Sequence, residues 1–216
     1  MKDKLIIFDM DNTILQSKID FGWMSKEVMA LLESRGFGAY RRETVAQTIT
    51  AFCQSEDCDQ ELVDRIWDKV CEIETVGMDK AVSEPGAAEA LTYLSQYAEL
   101  AVLSNNTNAA IGDNLSRLGL APHLSYVAGR NSVPLLKPSP LGMLHVMKQY
   151  PDIDKKNVIT IGDAMIDARA AEAAGIKFVA YNRSRPEAWD ELGIVPLLRL
   201  KEWTRESCDM LRSVFD

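Results

Sequence analysis

Short apolar runs recur along the chain, each followed by turn residues and then by a helical pattern. The runs are KLIIF (4–8), AELAVLS (98–104), LSYVAG (124–129), NVITIG (157–162) and IKFVAY (176–181), with VPLL (195–198) as a short sixth. Runs of this length, apolar on both faces, predict buried parallel strands. Amphipathic stretches between them predict helices over 84–97, 107–119, 139–150, 165–175 and about 201–215. Ser83 is placed to cap the first of these, with Pro85 in its first turn, and Gly119 to end the second. Strand and helix in alternation give an α/β fold built on a parallel sheet flanked by helices.

Residues 17–82 break the rhythm, with no strand candidate among them. The segments 20–36, 41–54 and 58–74 read as amphipathic helices, and in the third Leu62, Ile66, Val70 and Ile73 fall on one stripe beside Trp67. The pattern predicts a core of residues 1–16 and 83–216, interrupted after its first strand by an all-helical subdomain, 17–82. An insertion there sits over the C-terminal end of the sheet, where α/β proteins bind ligands.

Composition narrows the class. The 216 residues are 47% apolar and 26% charged, enough for a real core, with a net charge of −8. That charge argues against nucleic acid or anionic membrane as a partner. No apolar run is long enough to span a bilayer. The opening MKDKLIIFDMD has lysines and a short apolar stretch but meets acids at once, so it reads as a strand, not a secretion signal. Cys53, Cys58, Cys71 and Cys208 match no zinc spacing, and His123 and His145 lie far from them. Reduced thiols in a cytoplasmic protein are the expectation. Met10, Met143 and Met147 read as core or wall residues.

The candidate chemistry sits at equivalent places. Asp9 and Asp11 end the first strand, Ser104 ends the second, Lys137 precedes the helix after the third, and Asp163 and Asp167 follow the fourth. All should gather at one edge of the sheet. Alone, each has a plainer reading: turn acids, a helix N-cap for Asp163, a solvated first-turn acid for Asp167, a surface lysine.

FDMDNT, VLSNN, LLKPSP and IGDAMIDARAAEAAGI, in that order, resemble the four motifs of the haloacid dehalogenase superfamily. SEPGAAEAL and the KPSP-to-GDAMID stretch look most like its phosphoglycolate-phosphatase-type members. The resemblance implies a Rossmann-like core with a helical cap. Asn12 stands where the commonest family pattern has glycine, and Asn tolerates the unusual turn dihedrals that place demands.

What the resemblance implies is a magnesium-dependent phosphatase acting on a small phosphorylated metabolite. Asp9 is the nucleophile forming an aspartyl-phosphate, and Asp11 the acid and then the base. Ser104, Lys137 and the amide of Asn105 hold the phosphoryl group, with the amides of Met10 and Asp11 as further donors. Asp9, Asp163, the backbone carbonyl of Asp11, and Asp167 directly or through water hold Mg²⁺. The crowding of carboxylates itself calls for a hard divalent cation. Phosphoglycolate is the first candidate substrate, then a sugar phosphate or nucleoside monophosphate. Asp11 argues against a dehalogenase. A phosphonate hydrolase using a cap lysine (Lys18, Lys26, Lys69 or Lys80), a phosphomutase and a non-enzymatic binding module stay open. So does the choice of monomer or homodimer. Asn106 or Thr107 caps the following helix, Arg130 stands near the site, and Trp23, Lys26, Arg41 and Arg42 are the insertion's candidates for substrate contact.

Overall fold

The computed structural model describes residues 2–181, 189 and 193–215. The chain forms two compact units, one from Met1–Gln16 with Val82–Asp216 and one from Ser17–Ala81. The larger unit is an α/β layer structure. Its strands are β1 (Leu5–Phe8), β4 (Glu99–Leu103), β5 (Tyr126–Ala128), β6 (Val158–Gly162), β7 (Lys177–Tyr181) and β8 (Leu198–Leu200). They form one six-stranded sheet in the order β5-β4-β1-β6-β7-β8, with every pairing parallel. Two-residue strands β2 (Leu15–Gln16) and β3 (Val82–Ser83) pair antiparallel apart from it.

β1 is central and all four of its side chains are buried. Leu5 and Ile7 join one core cluster with Leu103 of β4 and with residues of α6 (Leu141–Met147) and α7 (Met165–Ala174). Phe8 packs against Trp203, ring centroids 5.9 Å apart, and Trp203 stacks on Tyr181. Each such aliphatic or aromatic side chain contributes about 1.5–3 kcal/mol on burial. α4 (Ala87–Leu94), α5 (Asn108–Arg117) and α8 (Arg205–Ser213) are further α-helices of this unit.

Two local expectations are corrected. Ser83 does not cap α4: it pairs with Leu15 in β3, and the cap position falls to Gly86, whose φ of +79° and close approach to the Trp203 carbonyl a side chain would forbid. The sixth strand lies at Leu198–Leu200, not 195–198, because Pro196 has no N–H for a ladder and Val195 stands 92% exposed. Gly119 and Gly175 both take positive φ just past the ends of α5 and α7.

The smaller unit consists of α1 (Phe21–Glu33), α2 (Val45–Cys53) and α3 (Gln60–Met78). Asp20, Thr44 and Asp59 cap them by accepting amide N–H groups of the first turns. Leu62, Ile66, Val70 and Ile73 are buried as the stripe requires. A Cβ on Gly77 would fall 2.5 Å from the backbone of Ile19, so glycine there lets α3 lie against the chain entering the unit. Among the described residues no helix is long and apolar enough to cross a membrane.

Candidate active site at the carboxyl edge of the sheet

The chain runs outward from β1 to β4 and β5, then returns to β6 on β1's other side. That reversal opens a crevice beyond the carboxyl ends of β1, β4 and β6. Asp9 is the first residue past β1 and is only 8% exposed. Its N–H still donates to Ile161 O at 2.8 Å, which fixes its backbone to the neighbouring strand. The chain then turns tightly, with the Thr13, Ile14 and Leu15 amides all directed at Met10 O. The turn needs one left-handed residue, and Asn12 supplies it at φ +55°. Thr13, fully buried, donates from Oγ1 to Asp9 Oδ2 at 3.4 Å, and its own carbonyl accepts from Trp203 Nε1.

Lys137 reaches Asp9 from the loop after β5. Its ammonium is 2% exposed and donates to Asp9 Oδ1 at 2.5 Å, Asp167 Oδ1 at 2.7 Å and Leu103 O at 3.0 Å. Those three bonds use all three of its protons. The Lys137 backbone is clasped in turn by the Asn105 side chain, which donates to Lys137 O and accepts from Lys137 N. Asp167, 1% exposed in the first turn of α7, accepts the Ala164 N–H on Oδ2. Its carboxyl lies flush on Gly162, where a Cβ would come within 2.5 Å of Cγ.

Asp163 completes the group. Oxygens of Asp9, Asp163 and Asp167 lie within 4.8 Å of one another. Three carboxylates against one ammonium leave a charge of −2 in a poorly hydrated place. Burial raises the Asp9 carboxyl most; Lys137 opposes it, and Asp167 and Asp11 add to it, for a value pushed up to about 7. Burial, then Asp9 and Asp167, push Asp163 well above the usual carboxylate range. Desolvation pulls Lys137 down, but Asp167 and Asp9 outweigh it and hold the ammonium charged. An all-oxygen donor set carrying this charge fits a hard divalent cation.

Asp11 stands apart from that trio. Its Oδ2 accepts from Asn106 Nδ2 at 2.7 Å. Asn106 is 5% exposed, and its N–H donates to Ser104 Oγ at 3.1 Å. Ser104, 1% exposed, thus uses a lone pair on Asn106, which leaves its hydroxyl proton to donate elsewhere. Arg130 donates from its guanidinium to Asn105 O and from its backbone to Asn106 O.

The structure therefore gathers Asp9, Lys137, Asp163 and Asp167 into one cluster, with Asn105 tied to it through the Lys137 backbone, while Asn106 links Asp11 and Ser104 to each other. Asp163 caps no helix, since Ala164 holds the position before α7, and Asp167 is not solvated. Thr107, not Asn106, caps α5. Thr13 and Gly162 are site residues that the sequence reading missed, and Asn106, read there only as a possible cap for the following helix, bonds Asp11 and Ser104. Their only signal was adjacency: each lies within two residues of Asp11, Ser104 or Asp163. Trp23, Lys26, Arg41 and Arg42 belong to the helical unit, Trp23 being 37% exposed.

The family model for haloacid dehalogenase-like hydrolases matches residues 6–181. A phosphoglycolate phosphatase of Pseudomonas fluorescens is 27% identical over 210 residues, covering 89% of this chain and 75% of its own. A phosphoglycolate phosphatase of Neisseria meningitidis is 40% identical over 76 residues, covering 35% of this chain and 32% of that one. Among solved structures, a HAD-superfamily hydrolase of subfamily IA from Geobacter sulfurreducens superposes with a TM-score of 0.62 at 24% identity, covering 96% of this chain and 98% of the other. The HAD-type hydrolase YfnB of Bacillus subtilis, solved bound to magnesium, gives 0.62 at 17% identity over the whole of both chains.

Proposed function

The chain belongs to the haloacid dehalogenase-like hydrolases, and from that premise we propose that it is a magnesium-dependent phosphatase of small phosphomonoesters, with phosphoglycolate the first candidate substrate. The observation that carries the reading is the buried Lys137 ammonium held between Asp9 and Asp167 beside Asp163. No fold requirement explains four charged groups at the mouth of a parallel sheet. The names of the similar phosphatases support the choice of substrate class.

In this reading Asp9 is the nucleophile. The bonds from Lys137 to Oδ1 and Thr13 to Oδ2 hold its carboxylate in one orientation, and effective positioning of this kind is the larger part of phosphoryl-transfer catalysis. Asp9 forms a bond to phosphorus as the ester oxygen leaves. Asp11 gives that oxygen a proton and later takes one from the attacking water. The Asn106 amide donates to Asp11 Oδ2, which marks Oδ1 as the oxygen to carry the proton. Ser104 donates its hydroxyl to a phosphoryl oxygen. Lys137, with its protons already committed, acts by charge and by aligning Asp9; a phosphoryl oxygen reaches it only by displacing one of its three acceptors. Asp9, Asp163, Asp167 and the Asp11 carbonyl would hold Mg²⁺. When bound, the ion neutralises the trio and draws charge from the phosphoryl oxygens. We assign the inserted helical unit the part of a cap that selects small substrates.

A panel of phosphomonoesters assayed with Mg²⁺ and with chelator, beside Asp9→Asn, tests this. Turnover that needs Mg²⁺ and falls by more than about a thousandfold in the variant is expected, since losing the nucleophile forfeits several kcal/mol of barrier reduction. Near-normal rates in Asp9→Asn, or no hydrolysis of any phosphomonoester, would overturn it. A phosphonate hydrolase would reveal itself by borohydride trapping with a phosphonoaldehyde, and a phosphomutase by dependence on a sugar bisphosphate.

A further inference from the structure

The turn that follows Asp9 is held from outside as well as from within. Its own amides close on Met10 O. The Glu84 N–H then donates to Ile14 O at 3.0 Å, and Trp203 Nε1 donates to Thr13 O at 2.7 Å. Two successive carbonyls of one turn are thus fixed by distant parts of the chain, Trp203 lying 190 positions on. The bond to Thr13 matters most, because Thr13 Oγ1 is the group that holds Asp9 Oδ2.

Trp203 is a donor with little freedom. It is buried, its ring stacks on Tyr181 with centroids 5.0 Å apart, and Phe8, the residue before Asp9, packs against it at 5.9 Å. Tyr181 is itself fixed, its hydroxyl donating to the buried Glu84 carboxyl at 3.0 Å. The Trp203 backbone lies against Gly86, where a Cβ would come within 2.2 Å of the Trp203 carbonyl oxygen. The next residue, Thr204, caps α8 by accepting the Ser207 N–H. Ring and backbone are therefore both locked.

A buried indole N–H needs an acceptor, and any carbonyl would satisfy it. The one it has belongs to the residue that orients Asp9. At 3.4 Å the Thr13–Asp9 bond is at the long end of the hydrogen-bonding range, so it has no slack. A shift of Thr13 by a few tenths of an ångström leaves Asp9 with Lys137 alone, free to swing about that single anchor. Orientation of the attacking group sets the rate of phosphoryl transfer more than it sets binding. We propose, building on the phosphatase reading, that Trp203 is a positioning residue for attack at phosphorus: its N–H fixes Thr13, and Thr13 holds Asp9 in the attacking orientation. This places a requirement of the reaction beyond residues 6–181, the stretch that the family model matches.

The test compares variants of the full chain on the best phosphomonoester at saturating Mg²⁺. Trp203→Phe keeps a ring for Tyr181 and Phe8 but removes the N–H. Thr13→Val removes the hydroxyl and keeps the shape. Leu211→Ala takes packing from α8, where Leu211 is fully buried, and leaves the indole N–H in place. Trp203→Phe and Thr13→Val should each lower kcat about tenfold or more, with KM within about twofold of wild type. The double variant should be within about twofold of the worse single one, since both changes break the same chain of contacts. Leu211→Ala should melt earlier yet keep its kcat. Replacing Trp203 with benzothienylalanine, which puts sulfur where the N–H stands on the same bicyclic ring, should cost kcat equally and serves if Trp203→Phe does not fold. A kcat within about twofold of wild type once the N–H is gone would overturn the proposal. So would equal losses of kcat in Trp203→Phe and Leu211→Ala, or losses that multiply in the double variant. In each of those cases Asp9→Asn is still inactive; a normal rate in Asp9→Asn is instead the failure of the phosphatase reading, and the proposal falls with it.

Discussion

Gly162→Ala probes the site through a residue with no chemistry of its own. The added Cβ would lie 2.5 Å from Asp167 Cγ and 2.6 Å from Cβ and Oδ2, whereas ordinary contact begins at 3.4 Å. The carboxyl group must therefore retreat by about 0.9 Å, the difference between those distances. Asp167 is held at 2.7 Å from Lys137 and 3.1 Å from Ala164 N, so that retreat breaks one bond or drags Lys137 away from Asp9. Gly162 does not have a positive φ, so alanine incurs no backbone strain and the clash is the whole perturbation. A displacement near 1 Å in a positioning group costs about a hundredfold in rate, and overpacking of this kind costs about 1–3 kcal/mol of stability. Steady-state kcat/KM on the best phosphomonoester, the Mg²⁺ concentration giving half the maximal rate, and a denaturant melt separate the two effects. A folded variant with kcat/KM within about threefold of wild type and unchanged Mg²⁺ dependence would refute the argument that Asp167's position matters.

Three other predictions follow from the same geometry. Lys137→Met leaves two buried carboxylates facing each other, and should lower stability without metal by about 3–5 kcal/mol in a denaturant melt and cut turnover more than about a hundredfold; an unchanged melt would mean the ammonium does not offset those charges. Asp9 carries a folded value of about 7 against an ordinary 3.8, so the folded chain binds more protons than the unfolded one between those pH values. Its contribution to stability in chelator is therefore fully present below about pH 4 and lost, up to about 4 kcal/mol, as pH rises to 7. Thermal midpoints of wild type should fall relative to Asp9→Asn across that window and recover with Mg²⁺; a relative rise would contradict the sign. Asn106→Ala removes the Asn106 bond to Asp11 Oδ2 and should lower kcat about tenfold or more, least for substrates with good leaving groups such as p-nitrophenyl phosphate; an equal loss for all leaving groups would remove Asn106 from the proton-transfer step.

How much of this was legible in the sequence depended on the range of the interaction. β1, β4, β6 and β7 were readable because each is a continuous apolar run buried on both faces, a property of the run itself. The gathering of Asp9, Ser104, Lys137 and Asp163 was readable because each follows a strand of one parallel sheet, which puts their positions at one edge. β2 and β3 were not readable: two residues each carry no period, and the pairing of Leu15 with Ser83 closes across the whole inserted unit. The Gly86 cap depended on Trp203, far along the chain. The same holds for the site's supporting bonds. Nothing in VLSNN distinguishes the first asparagine, which clasps the Lys137 backbone, from the second, which holds Asp11. Loop geometry decides that, and loop geometry is set by tertiary contacts.

The central claim is that a phosphoryl group passes to Asp9. Enzyme quenched during turnover and treated with borohydride should have any aspartyl-phosphate reduced to homoserine, and tryptic cleavage isolates Leu5–Lys18, which holds both Asp9 and Asp11. Fragmentation of that peptide should find homoserine at position 9 and aspartate at position 11, with none formed when substrate is omitted. Homoserine at position 11, or unmodified aspartate at both positions from enzyme in full turnover, would contradict the account.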